Sequence, residues 1–222
     1  NKLIRQIFMF KQRFLTGALA LSCALASVAC SAQDGPLRFH EGQDYQPVRQ
    51  AEPPSNTDKV VVAEVFWYGC THCNRFDPIV HAWEKDLGPN VEFIRIPNSL
   101  GRQQALAHSK AYYTAEVLDV LDEVHTALFD AIHSQGRSLY SEDQIAEVFE
   151  DHGVDKETFT KTFNSFAVNS RVQRAEKMVR QFGIPSVPAM VVNGKYWTNG
   201  RYAGSFQGML DVVDFLVVKD SQ

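Results

Sequence analysis

A run of apolar, β-branched and aromatic residues from Val60 to Tyr68 leads directly into Gly69-Cys70-Thr71-His72-Cys73, and no other stretch restricts the fold so tightly. Only Glu64 interrupts the run, and a mostly apolar run of that length predicts a strand buried on both faces. Beyond Cys73, the apolar residues Phe76, Ile79, Val80, Trp83 and Leu87 recur at three- and four-residue steps, which predicts an amphipathic helix over 73–87. The chain therefore passes from strand to helix at the two cysteines. Cys70 is expected at the mouth of the helix, and Cys73 about one turn inside it.

That position favours a reactive thiol. Unpaired backbone N–H groups at a helix start carry partial positive charge and stabilise an anion. A thiolate there has a depressed pKa, and the thiolate is the attacking species. Cys70, the outer sulfur, is expected to attack, and the shielded Cys73 to resolve the mixed disulfide. His72, between them, adds positive charge or hydrogen-bond donors. The same spacing also suits half of a zinc site. A structural zinc needs four ligands, however, and the chain has no second cysteine pair, while His72 sits awkwardly inside the first and His81 is the other histidine nearby. Redox chemistry is the better fit, with no metal and no cofactor expected. A cross-link closing so short a loop contributes little through chain entropy, so a structural disulfide explains the pair poorly.

The first residues set a compartment. Lys2, Arg5, Lys11 and Arg13 precede a stretch from Phe14 to Ala32 made mostly of Ala, Leu, Ser, Val and Cys, and no acidic residue occurs before Asp34. This pattern predicts a secretory signal over 1–32, against the alternative of a weakly hydrophobic membrane anchor. Met9 precedes a basic cluster of its own and is a candidate start. Ser27-Val28-Ala29-Cys30 loosely resembles a lipobox, in which cleavage leaves a lipidated cysteine. Cleavage at Ala32 is the alternative and discards Cys30. Either way Cys23 leaves with the leader, and the mature domain keeps only Cys70 and Cys73 in an oxidising compartment.

The remaining roughly 190 residues suit one domain, or one with an insertion. A net charge of −4 without a basic run argues against nucleic acid. Tyr45 to Val48 reads as a short edge strand and 91–96 as the strand after the helix. From Gln103 to Phe166 strand patterning disappears. Helices are expected over 105–118, 120–132, 141–149 and 155–163, then a longer one over 169–182 ended by Gly183. Strands return at Ala189–Val192 and 195–198, joined by Asn193-Gly194, the strongest short hairpin signal. A last helix runs from Ser205 to Val217. The order is β-β-α-β, a helical block, then α-β-β-α, and the sheet is expected to be covered on both sides.

Just before the hairpin stands Ile184-Pro185-Ser186-Val187-Pro188. Trans is the default for both prolines; a cis Val187-Pro188 bond would turn the loop sharply beside the cysteines. Phe66-Trp67-Tyr68-Gly69-Cys70-Thr71-His72-Cys73 together with Gly183-Ile184-Pro185-Ser186-Val187-Pro188-Ala189-Met190-Val191-Val192-Asn193-Gly194-Lys195-Tyr196 resembles the DsbA family of bacterial periplasmic thiol:disulfide oxidoreductases. The likeness covers roughly residues 40 to 217.

The resemblance implies an α/β, thioredoxin-like fold over 40–100 and 168–222 with an all-helical insertion at 101–167. It implies Cys70 as the nucleophile, Cys73 as its partner in a redox-active disulfide, and Val187 with a cis Pro188 as the loop that binds extended substrate. Tyr68 and His72 are expected to share that apolar surface. Glu64 matches a buried acidic residue below the site. Its burial raises its pKa, so that it either passes a proton to Cys73 or rests as a structural carboxylate beside water or a lysine. Asp77 reads as a solvated or paired helix charge. The family's best-known pair encloses Pro-His where this chain has Thr71-His72, and Thr71 is able to donate a hydrogen bond to a thiolate.

The activity implied is oxidation of reduced, exported proteins in the periplasm through a mixed disulfide at Cys70. A membrane quinone oxidoreductase of the DsbB type is the implied partner for reoxidation. No spare dimerisation domain is visible, so a monomer is expected. A disulfide isomerase or reductase, a non-enzymatic binder of unfolded chains, and a glutathione-dependent transferase are the alternatives.

Overall fold

The computed structural model describes residues 39–51 and 59–221. The leader, with Cys23 and Cys30, lies outside the described residues. Strand β1 (Gln46–Pro47) is followed by β2 (Val60–Phe66), helix α1 (Thr71–Glu84) and β3 (Val91–Pro97). A 3₁₀ turn leads into α2 (Leu106–Val117), α3 (Leu121–His133), α4 (Glu142–Glu150), α5 (Lys156–Phe163) and α6 (Phe166–Phe182). The chain closes with β4 (Ala189–Val192), β5 (Tyr196–Asn199), the single-turn α7 (Gly200–Ala203) and α8 (Phe206–Asp220).

The sheet runs β1-β5-β4-β2-β3. Strand β2 pairs parallel with β3 and antiparallel with β4, and β5 is antiparallel to both β4 and β1. Alternation along each strand divides its side chains between two cores. Val60, Val62, Met190 and Val192 pack with Phe76, Val80, Met209 and Leu210 beneath α1 and α8. Ala63, Val65, Ala189 and Val191 pack on the other side with Leu128, Val172 and Val179 of the helical block. The sheet is thus covered on both faces, and the chain has a thioredoxin-like fold with a helical insertion between β3 and β4.

Local chemistry explains most boundaries. Ser141, Asp155, Ser165 and Ser205 each cap a helix by accepting a backbone N–H three residues on, at 3.4, 2.9, 3.2 and 2.9 Å. Gly183 ends α6 in the left-handed conformation (φ 73°). Asn193 (φ 53°) and Gly194 (φ 60°) both take the positive φ of a type I′ hairpin.

Several boundaries shift, and α1 ends at Glu84, three residues before the expected Leu87. The strand before the cysteines stops at Phe66 instead of Tyr68, because Trp67–Gly69 form a turn. Helix α1 begins at Thr71, two residues before the expected start. Helix α6 begins at Phe166, three residues early, behind the Ser165 cap.

Candidate active site

Cys70 is the N-cap of α1. Its backbone is extended (φ −94°, ψ 115°), and its sulfur accepts the Cys73 N–H at 3.4 Å. The turn before it closes through Cys70 N–H to the Trp67 carbonyl at 2.9 Å. Gly69 has no room for a side chain, since a Cβ there would fall 2.3 Å from the Trp67 ring. Replacing Gly69 with Ala is therefore expected to cost about 1–3 kcal/mol of stability, read as a fall in the urea midpoint.

The helical block holds this turn in place. Trp67 Nε1 donates to His108 Nδ1 at 2.9 Å, and His108 Nε2 donates to the Ser138 carbonyl at 2.9 Å. His133 Nε2 donates to the Tyr68 carbonyl at 2.7 Å.

Cys70 is half-buried and Cys73 fully buried, both as free thiols. A hydrogen bond from the Cys73 side chain, opposed by burial and aided by the Cys73 and His72 backbone N–H groups and the His72 charge, brings the Cys70 pKa from 9.0 down to about 6. Burial, together with the neighbouring Cys70 sulfur, pushes the Cys73 thiol well up. The two sulfurs are thus strongly inequivalent, with the anion favoured on the outer one.

The second motif completes the site. The Val187–Pro188 peptide bond is cis, and Cys70 Sγ lies 3.6 Å from the Val187 carbonyl. Pro188 is buried and Val187 half-buried, while Ser186 and Pro185 are exposed.

Glu64 lies in the sheet with 2 % of its surface exposed. Its partner is Arg95, its neighbour in register on β3, and not a lysine. Arg95 Nε stands 3.5 Å from Glu64 Oε2 yet makes no hydrogen bond, whereas Arg95 Nη2 donates to Glu84 at 3.1 Å. Burial therefore outweighs the arginine's attraction, and with Asp77 and Glu84 adding repulsion the Glu64 pKa rises from 4.5 to about 8.

Comparison with known proteins matches residues 61–208 to the DSBA-like thioredoxin domain. The chain belongs to the DSBA-like thioredoxin family. It is 39 % identical over 204 residues to the thiol:disulfide interchange protein DsbA of Burkholderia cepacia, covering 91 % of this chain and 95 % of that protein. It is 35 % identical over 210 residues to the DsbA of Azotobacter vinelandii, covering 94 % and 98 %. The crystal structure of Pseudomonas aeruginosa DsbA superposes with a TM-score of 0.78 at 35 % identity, covering 82 % of this chain and 95 % of that one. The chain is a thiol:disulfide oxidoreductase.

Within this DSBA-like domain, the structure brings Cys70, Cys73, Val187 and Pro188 together around one sulfur. Thr71 is exposed, and the bond to the Cys70 sulfur comes from Cys73 instead. His72 is exposed, and its Nδ1 accepts from Arg75 Nη2 at 2.7 Å. Tyr68 needs correction. It was expected on the substrate-binding surface, but only 1 % of it is exposed. Strand geometry ends before it, and its ring packs against Phe66 and Phe129. The ring beside His72 belongs to Phe206, which also lies under Arg75.

The Tyr68 hydroxyl lies 2.7 Å from His125 Nδ1, and His125 Nε2 lies 2.9 Å from Asp77 Oδ1. A carboxylate only accepts, so Nε2 donates to Asp77, while Nδ1 and the Tyr68 hydroxyl share the second hydrogen bond. Burial pushes the Asp77 carboxyl up, but the His125 hydrogen bond and charge more than offset it and hold it low. Asp77 is thus a buried, paired group, not a solvated one. The histidines at 108, 125 and 133 escaped the sequence reading. Their signal is position: His125 stands four residues before Phe129, and His108 four before Tyr112, each on a buried helix face.

Proposed function

We propose that this protein is a periplasmic dithiol oxidase of the DsbA type, which passes its Cys70–Cys73 disulfide to reduced, exported proteins. The observation that carries this is the sulfur of Cys70, held at the start of α1 with a pKa of about 6 beside a buried, high-pKa Cys73. Stabilising the outer thiolate stabilises the reduced form and makes the disulfide oxidising.

In the proposed cycle a substrate thiolate attacks the Cys70 sulfur, the Cys70–Cys73 bond breaks, and Cys73 leaves with the electron pair. Glu64, protonated at neutral pH with its pKa of about 8, supplies the proton that Cys73 takes up. A second substrate thiolate then attacks the substrate sulfur of the mixed disulfide and expels Cys70 as a thiolate. Two electrons have passed from the substrate dithiol to the protein. The Val187–Pro188 loop holds the substrate backbone, and Thr71 and His72 form the rim that tunes the sulfur.

The remaining assignments follow the same reading: a cleaved signal over 1–32, with lipidation at Cys30 as the alternative maturation; a monomer in solution; and reoxidation by a DsbB-type membrane quinone oxidoreductase. Among the described residues no helix is long and apolar enough to cross a membrane.

Mixing the reduced Cys73→Ala protein with a disulfide-bonded peptide tests the cycle in reverse. Attack by Cys70 is expected to stall as a covalent adduct carrying the peptide's mass, whereas the unaltered protein accumulates none. An adduct absent, or carried elsewhere in the chain, would refute the assignment. Equilibration with glutathione separates the oxidase from a reductase, since a thioredoxin-like potential favours the latter.

A further inference from the structure

Two clefts join on the side of the Val187–Pro188 loop that faces the helical block. The smaller, of about 300 Å³, is lined by Asn98, Gly101, Glu176, Arg180 and Pro185. The larger, of about 620 Å³, shares Gly101, Glu176 and Arg180 and adds Arg102, Lys110 and Lys177. Asn98 sits where β3 ends, its N–H bonded to the Phe66 carbonyl at 2.9 Å, so the groove opens at the strand ends that also deliver Cys70. Arg102 ties it closer still, lying 5.1 Å over the ring of Trp67 in the turn before the sulfur.

The groove is basic on a chain whose net charge is −4. Arg102, Lys177 and Arg180 are exposed along it, and α6 carries Arg171, Arg174, Lys177 and Arg180 against the single acid Glu176. Glu176 is committed to the wall: its Oε1 accepts the Ser99 N–H at 2.7 Å, and its Oε2 lies 4.0 Å from Arg180. A second feature points to a ligand independently of charge. Asn98 is 2 % exposed, and its Oδ1 accepts the Leu100 N–H at 2.8 Å, but its Nδ2 has no partner. A buried donor left over at a cleft wall suits an acceptor brought by something that enters the cleft.

We propose that this groove seats an acidic stretch of the polypeptide being oxidised, on one side of its reacting cysteine. The inference rests on the oxidoreductase reading above and adds a preference among its substrates. Peptide carboxylates meet Lys177, Arg180 and Arg102 as charge-assisted hydrogen bonds, and a peptide oxygen takes the Asn98 donor. An extended chain is narrow enough to enter the cleft whose wall holds that amide. A flat anionic membrane surface does not, which favours a polypeptide occupant over a lipid one.

The test uses two-cysteine peptides that differ only in residues flanking the first cysteine: Asp and Glu, Asn and Gln, or Lys, placed before or after it. Each is mixed with the oxidised full-length protein at low ionic strength. The acidic flank is expected to speed oxidation about 10-fold over the neutral one, on one side only, with the advantage shrinking as salt rises. The surface double variant K177E/R180E should lose the advantage while oxidising the neutral peptide at an unchanged rate. Equal rates across the series would overturn the proposal, and so would an advantage that survives K177E/R180E. Binding to phosphatidylglycerol vesicles that depends on Lys177 and Arg180, with no flank preference, would assign the groove to lipid and overturn it too. A protein that oxidises none of the peptides fails the oxidoreductase reading itself.

Discussion

Serine in place of Cys70 is expected to slow oxidation of a two-cysteine peptide by at least about 1,000-fold, because no other exposed sulfur in the redox pair can replace the attacked atom. A hydroxyl in its place cannot form the mixed disulfide. The pH profile of the reduced, unaltered protein shows whether the sulfur is special or merely present. With a pKa of about 6, roughly 90 % of Cys70 is thiolate at pH 7, against about 1 % for a thiol at 9.0. Nucleophilicity falls with basicity, however, with a Brønsted slope of about 0.4–0.5, and three pH units of acidity lower intrinsic reactivity roughly 20-fold. The two effects nearly cancel at neutral pH, leaving an advantage of only about 5-fold. At pH 6 the advantage grows to about 25-fold, since an ordinary thiol has almost no thiolate left. Exchange with a small disulfide should therefore rise to a plateau with its midpoint near pH 6; a midpoint near 9 would remove the basis for a strong oxidant.

The same value fixes a stability trend. The folded pKa lies below the unfolded one, so the thiolate's stabilisation is complete only above the unfolded value and is lost as pH falls through about 6. The reduced form should gain on the disulfide form between pH 6 and 9, read as the difference between their denaturation midpoints.

The second large effect concerns Glu64, and its sign is opposite. Its pKa is raised on folding from 4.5 to about 8, so between those values the unfolded chain releases a proton that the folded chain keeps. Stability is intact below pH 4.5 and falls as pH climbs through 8, by about 5 kcal/mol at the upper end. Glu64→Gln keeps the shape and removes the titration. Arg95 loses a neighbour to which it makes no hydrogen bond but keeps its bond to Glu84. The variant is therefore expected to match the unaltered protein near pH 4 and to exceed it by roughly 5 kcal/mol above pH 8. Urea unfolding of the disulfide form across that range measures it. A pH-independent difference would mean that Glu64 is ionised throughout. Glutamine also cannot hand a proton to Cys73, so slower peptide oxidation should accompany the gain in stability.

Features set by a few adjacent residues were legible in the sequence. The run from Val60 reads as a buried strand from its β-branched residues, with its end placed at Tyr68, two residues too late, and Cys70 falls at a helix start because apolar periodicity begins just after it. Ser141, Asp155, Gly183, Asn193 and Gly194 mark their boundaries through chemistry that acts over three or four residues. What escaped depends on distant partners or on the lack of a buried face. Phe166 opens α6 while 88 % exposed, so it adds nothing to an apolar stripe. The four residues of α7 are too few to show a period. Tyr68 looks like an apolar rim residue until His125, 57 positions on, takes its hydroxyl into the core. Arg95 as the partner of Glu64 follows only from the parallel register of β2 and β3. The basic groove draws on Asn98, Arg102, Lys110 and α6 together, a juxtaposition that no short window contains.

The order of strands has a temporal consequence. Strand β2 lies inside the sheet, between β4 and β3, but one of its two neighbours is made far later: the amide of Val61 bonds the side chain of Asn193, 132 residues downstream. At translation speeds of 5–20 residues per second, β2 waits on the order of ten seconds for that neighbour. During the wait both sulfurs are already synthesised, whereas the Val187 carbonyl that will face them does not yet exist. A nascent chain is therefore a carrier of thiols before it is a catalyst of their exchange, and its own cysteines are open to the chemistry it will later perform on others.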